Sequence, residues 1–213
     1  MEINWVEYFK PLWKEFGKRK HPLDYKNRYQ LVVMVILSAQ TTDKQINELA
    51  KDFFLSYPSM KELAKASVED LHHQLRKVRN FGNKAKWLVE LTNQVGDDRN
   101  IPRTMEELNE LPGLGRKSAN VIIRESGDDA EGIIVDLHVL RVSTRLGIAV
   151  GDKPEKIEKQ MMEILPQNKW NETGMALSFL GREICRPKDP KCNICVMNKV
   201  CMYYNSSREP NKG

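Results

Sequence analysis

"LPGLGRKSANVII", residues 111–123, decides how the rest of the chain is read. Two glycines and a proline stand between apolar helical segments, with a basic pair directly behind them. Proline fixes its own φ, while Gly113 and Gly115 either take positive φ or let another backbone come close. Arg116-Lys117-Ser118-Ala119-Asn120 reads as a helix start that runs into the apolar face of Val121-Ile122-Ile123. A helix begun this way presents unpaired N–H groups and a partial positive charge, which together favour an anion such as phosphate. Ordinary connections between helices use the same residues. The remainder of the sequence has to separate the two readings.

The chain has 213 residues, 40% hydrophobic and 30% charged, enough for one large domain or two small ones with a real core. Helical periodicity dominates and no strand pattern stands out, so the expected class is all-α. The periodicity predicts helices over about 3–17, 28–38, 42–55, 59–66, 68–78, 83–96, 104–110, 115–125, 136–147, 154–165 and 169–184. Thr104 lies three residues before Glu107, the spacing of a capping box, and Pro154 suits a first helical turn. The stripe Trp5, Phe9, Leu12, Trp13 and Phe16 reads as a buried helix face. Asp136, placed after Ile133-Ile134-Val135 and before an apolar helix, is a natural N-cap. Arg141 and Arg145 share a face of that helix and read as solvated surface. The polar tail 205–213 is expected to fray.

No apolar run is long enough to cross a membrane, so no membrane association is expected. The first residues, Met1-Glu2-Ile3-Asn4-Trp5, show no targeting pattern; the expected location is cytoplasmic, not secreted. The net charge of +5 is only mildly basic, and its distribution says more than its size. Lys18-Arg19-Lys20 forms one basic cluster, and Arg182, Arg186, Lys188 and Lys191 form another. Asp128-Asp129-Ala130-Glu131 is acidic and belongs away from any polyanion.

All four cysteines lie in one short stretch, as C-x6-C-x2-C-x5-C: Cys185, Cys192, Cys195 and Cys201. Two disulfides do not suit a reducing cytoplasm. A structural zinc site usually shows two close pairs, and here only Cys192 and Cys195 form one. An iron–sulfur cluster tolerates wider intervals, because its ligands wrap a larger object. The spacing points to a metal or cluster and leaves zinc and iron–sulfur both open.

Taken together, "LPGLGRKSANVII", "IIVDLHVLRVSTRLG", the early "ILSAQTTDKQIN" and the cysteine spacing resemble the endonuclease III family of helix-hairpin-helix DNA glycosylases. The resemblance runs from about residue 28 to 201, with its motifs in the family's order. It implies a two-lobed, all-helical fold. One lobe is a six-helix bundle over residues 22–132 that carries the helix-hairpin-helix at about 105–125. The other joins residues 1–21 to 133–213 and ends in an iron–sulfur cluster loop. It also implies a [4Fe–4S] cluster on Cys185, Cys192, Cys195 and Cys201, and a monomer acting on double-stranded, nucleoid-associated DNA with damaged bases or abasic sites. The implied activity is a bifunctional DNA glycosylase and AP lyase of base excision repair. Such an enzyme removes damaged, oxidised pyrimidines and nicks the abasic site by β-elimination.

Residue by residue, Lys117 matches the family's lysine nucleophile and Asp136 its aspartate. Cleaving an N-glycosidic bond builds oxocarbenium character at the sugar C1′, which a nearby carboxylate stabilises. The attacking amine has to be neutral, and a helix N-terminus, Arg116 and desolvation by bound DNA all act against an ammonium. By the same resemblance Gly113, Gly115, Arg116, His138 and Lys191 are expected at the DNA, with Gly113 and Gly115 exposing backbone amides to phosphate. Gln40 matches a glutamine that fills the gap left by a flipped base. The loop "VRNFGNKAKWL" matches the one carrying the family's intercalating wedge, commonly leucine. That position is Asn80 here, followed by Phe81, and either residue can serve, or Phe81 can be a core residue packing with Trp87 and Leu88. Two rivals remain. A mismatch-specific glycosylase would lack a lysine at 117, and a non-catalytic or redox-sensing iron–sulfur DNA-binding protein would need neither Lys117 nor Asp136.

Overall fold

In the computed structural model, residues 3–206 are described, and those residues contain helices and loops but no strand. The tail from 207 on, expected to fray, lies outside the described residues. The chain divides into two compact units, one from His21 to Asp128 and the other joining the segment up to Lys20 to everything from Asp129 on.

The His21–Asp128 unit is built around α2 (Arg28–Ser38), whose residues 31–37 are all buried. A helix apolar on every side belongs in the middle of a bundle. Around it lie α3 (Asp43–Ser56), α6 (Phe81–Val95) and α8 (Arg116–Glu125), with α4 (Met60–Leu63), α5 (Val68–Leu75) and α7 (Met105–Asn109) completing the unit. The starts are set by local chemistry. Asn27, Thr42, Ser59, Ser67 and Thr104 each accept a backbone N–H with the side chain, satisfying donors the helix cannot. Val95 ends α6 and Gly96, at φ 70°, follows it.

The other unit contains α1 (Trp5–Leu12), α9 (Leu137–Leu146), α10 (Pro154–Ile164), α11 (Trp170–Glu183) and α12 (Met202–Ser206). Trp5, Phe9, Leu12, Trp13 and Phe16 are buried as their spacing predicts, and Trp13 Nε1 donates to Thr173 Oγ1 at 3.0 Å. The helix predicted over 3–17 is not regular throughout: Trp13–Gly17 is a π-helical turn. Pro11, inside α1, has no N–H to give the preceding turn, and the regular ladder ends one residue later.

α11 packs along both α9 and the π-turn. Its Gly174 lies against the extended segment before Asp136: a Cβ there would stand 2.6 Å from the Ile134 carbonyl oxygen. No other residue fits so near a backbone. Ile133, Ile134 and Val135 are buried, and the Ile133 N–H donates to the Glu158 carboxylate at 3.2 Å. The strand-like run into Asp136 is thereby fixed from two sides.

Candidate functional site

The candidate residues fall into two groups, one in each unit. The first is the turn between α7 and α8. Gly113 has φ 77°, and a Cβ on it would lie 2.7 Å from Trp87 Cε3 and 3.3 Å from Ile36 Cγ2. Both its backbone angle and its neighbours on α6 and α2 require glycine. Gly115 is different. Its φ is −120°, and no atom of the described residues lies within 4 Å of an added Cβ. Among the described residues, its chain neighbours aside, nothing crowds a side chain at 115. Gly115 is the N-cap of α8 and supplies no side chain to the first-turn N–H groups, so the cap position itself leaves room for an anion. Arg116 and Lys117 are exposed, while Ala119, Asn120 and Val121 turn into the core. The hairpin is thus anchored by Leu111 and Leu114, both buried, and presents Gly115, Arg116 and Lys117 outward.

The same unit holds the residues expected to fill a DNA gap. Gln40 is exposed at φ 58°, and Asn80 is exposed at φ 57° as the N-cap of α6. Left-handed backbone is uncommon outside glycine; such outliers mark positions held by their surroundings. Phe81 points elsewhere. It is half-buried, with its ring edge-to-face on His72 at 5.3 Å between centroids and 85° between planes.

The second group surrounds Asp136. One carboxylate oxygen, Oδ1, accepts the backbone N–H groups of His138 and Val139, both at 2.8 Å, and caps α9. The other, Oδ2, accepts the Ser178 hydroxyl at 2.7 Å and has the Arg182 guanidinium 4.0 Å away. The side chain remains 16% exposed, so the carboxylate is held without being closed off. Sequence reasoning missed Ser178 and placed Arg182 only in a basic cluster, with no link to Asp136. Ser178 is a polar residue inside the apolar run of α11, and Arg182 stands one turn later on the same face.

His138 is half-buried, and burial lowers its pKa first of all, with Asp136 opposing and Arg182 and Arg141 adding to the shift. Its Nδ1 lies 3.2 Å from an Arg141 nitrogen. Arg141 and Arg145, expected as solvated surface, are neither free nor fully exposed. Arg141 donates to the carbonyls of Gly181 and Cys185, and Arg145 to those of Arg186 and Pro187. The loop after α11 folds back over α9 and brings unpaired carbonyls that sequence periodicity cannot register.

The four cysteines are not disulfide-bonded, and all four line one cavity of about 350 Å³, mouth included, with Val142, Leu146 and Leu180 among its walls. Burial pushes the thiols of Cys192 and Cys201 up, and that of Cys195 up to about 11. Among the described residues no three metal-binding side chains converge closely enough to hold a single ion. Four free thiols around one apolar chamber are a donor set that fits an iron–sulfur cluster. Arg145 also reaches Cys185 Sγ, at 3.4 Å, and lies over the Tyr203 ring. Arg186, Lys188 and Lys191 are exposed on the loop between the first two cysteines.

Comparison with known proteins agrees with this picture. Residues 33–167 match the model of the HhH-GPD superfamily base excision DNA repair protein. Endonuclease III from Synechocystis sp. is 34% identical over 181 residues, covering 84% of this chain and 83% of its own. Endonuclease III from Bacillus subtilis is 36% identical over 182 residues, covering 84% and 83%. Among solved structures, a trapped endonuclease III–DNA covalent intermediate superposes with a TM-score of 0.86 at 32% identity, covering 97% of this chain and 99% of its own.

Proposed function

This chain belongs to the HhH-GPD superfamily of base excision DNA repair proteins, as an endonuclease III-type DNA glycosylase and AP lyase, and we propose that Lys117 and Asp136 carry its chemistry. The observation that supports this most is Lys117 itself. It stands exposed in the first turn of a helix whose N-cap, Gly115, provides no side-chain cap and has open space beside it. A phosphate held by the first-turn N–H groups and by Arg116 brings a sugar to the amine.

The free amine of Lys117 attacks C1′ as the N-glycosidic bond breaks, and the base leaves with the bonding pair and takes up a proton. Asp136 stabilises the positive charge that builds on the sugar. Ring opening gives an imine between Nζ and C1′. Loss of a C2′ proton then expels the 3′ phosphate, and water returns the lysine. Excision requires the damaged base to leave the stack. Gln40 and Asn80, both exposed at the tips of left-handed turns, are the residues that enter the gap. Phe81 supports its loop from below against His72.

Cys185, Cys192, Cys195 and Cys201 would hold a [4Fe–4S] cluster, which when bound supplies positive charge to stabilise buried thiolates and ties the loop to α9 and α11. The exposed Arg186, Lys188 and Lys191 then meet phosphate from a fixed loop. The substrate is duplex DNA in the cytoplasm, at the nucleoid, bearing damaged, oxidised pyrimidines or abasic sites, and the enzyme works as a monomer. Borohydride trapping on damaged duplexes tests the assignment. Wild type is expected to be captured, while Lys117→Gln loses capture but keeps binding. Equal capture of the variant would move the nucleophile elsewhere.

A further inference from the structure

Lys84 is 1% exposed, and among the described residues its ammonium bonds to no carboxylate. A buried ammonium is costly and has to be bonded. Its partners all belong to one turn: the carbonyls of Leu37 at 2.8 Å and Ala39 at 2.6 Å, and the Thr41 hydroxyl at 3.4 Å. Those carbonyls are the acceptors left open where α2 ends, and no glycine is present to close it. Gln40 stands in the middle of that turn, left-handed and exposed.

The backbone of the same residue serves the second turn. Lys84 N–H donates to the carbonyl of Asn80 at 3.2 Å, closing the first turn of α6 behind the other left-handed residue. Of the described residues other than glycine, only Gln40, Asn80 and Asp189 have positive φ, and Lys84 bonds to the turns of two of them. We propose that Lys84 is a positioning residue that holds the Gln40 turn and the Asn80 turn in fixed register, so that both side chains arrive together in the DNA stack. Burial lowers the Lys84 ammonium to about 8.

The inference rests on the reading that Gln40 and Asn80 enter the stack, and the test separates the two. Lys84→Met removes the donor and keeps the bulk. Excision of a damaged base from paired duplex is expected to fall about 100-fold, the cost of misplacing a group by about an ångström. Nicking of a duplex that already carries an abasic site should change little, since no base has to be displaced. In a Gln40→Ala/Asn80→Ala background, Lys84→Met should cost excision nothing further, although its effect on melting persists. Equal losses in both backgrounds, or parallel losses of excision and abasic nicking, would show a general structural role and overturn the proposal. If the Gln40→Ala/Asn80→Ala enzyme excises as well as wild type, the stack reading fails instead. The clamp is then judged by amide exchange at residues 39–41, the turn that the ammonium holds, where unchanged protection in Lys84→Met overturns it. Should Lys84→Met not fold, Lys84→Gln retains a single N–H-bearing group for the same comparisons.

Discussion

Asp136→Asn separates what Asp136 does for the fold from what it does for the reaction. In the wild type Oδ1 takes two backbone N–H bonds, and an asparagine oxygen takes the same two, so the cap survives. On the other side Ser178 now donates to Oδ2. With an amide there, the hydroxyl turns and accepts, so that bond is reversed and not lost. The charge is what disappears. Its interaction with the start of α9 is worth about 0.3–1 kcal/mol. Its attraction to Arg182, 4.0 Å away and 35% exposed, adds at most about 1 kcal/mol and is screened by solvent. A total near 1 kcal/mol lowers Tm by about 2–4 °C in a chain of this size. Losing the carboxylate opposite a developing oxocarbenium ion costs far more, about 100- to 1,000-fold in rate, the scale of one removed electrostatic contact. Asp136→Ala loses the cap as well, a further cost of about 0.5–2 kcal/mol, with no greater loss of excision than Asn. Single-turnover excision and thermal melting on both variants check this. Excision that survives Asp136→Asn, or that tracks Tm across the two substitutions, would refute a catalytic carboxylate.

Phe81→Ala should lower Tm and depress excision and abasic nicking together, because its ring packs on His72. Asn80→Leu should improve excision despite a stability loss of about 1–2 kcal/mol, since leucine tolerates the left-handed backbone at φ 57° less well than asparagine, and an unchanged rate would remove residue 80 from the DNA stack. Protein produced with adequate iron should be yellow-brown and carry about four irons per chain; one zinc and no iron would reject the cluster.

What the sequence determined by itself is local or carried by motif. The helix starts at Thr104, Asp136 and Pro154 were legible because a cap's partners lie within three residues of it. The buried stripe of α1 was legible because a helix repeats every 3.6 residues. Its π-turn was not, since the apolar spacing continues through Phe16 although Pro11 interrupts the ladder before it. Membership of the glycosylase family could be read from three motifs in the family's order, since each is a contiguous stretch of sequence. Only tertiary structure could supply partners brought from far along the chain. Ser178 reaches Asp136 across 42 positions, and Lys84 reaches Ala39 across 45. It also distinguished the two hairpin glycines, which look alike in "PGLG". Trp87 and Ile36 forbid a side chain at Gly113, whereas Gly115 meets open space. A glycine's reason lies in what approaches it, and for these two that is decided by helices packed from elsewhere in the sequence.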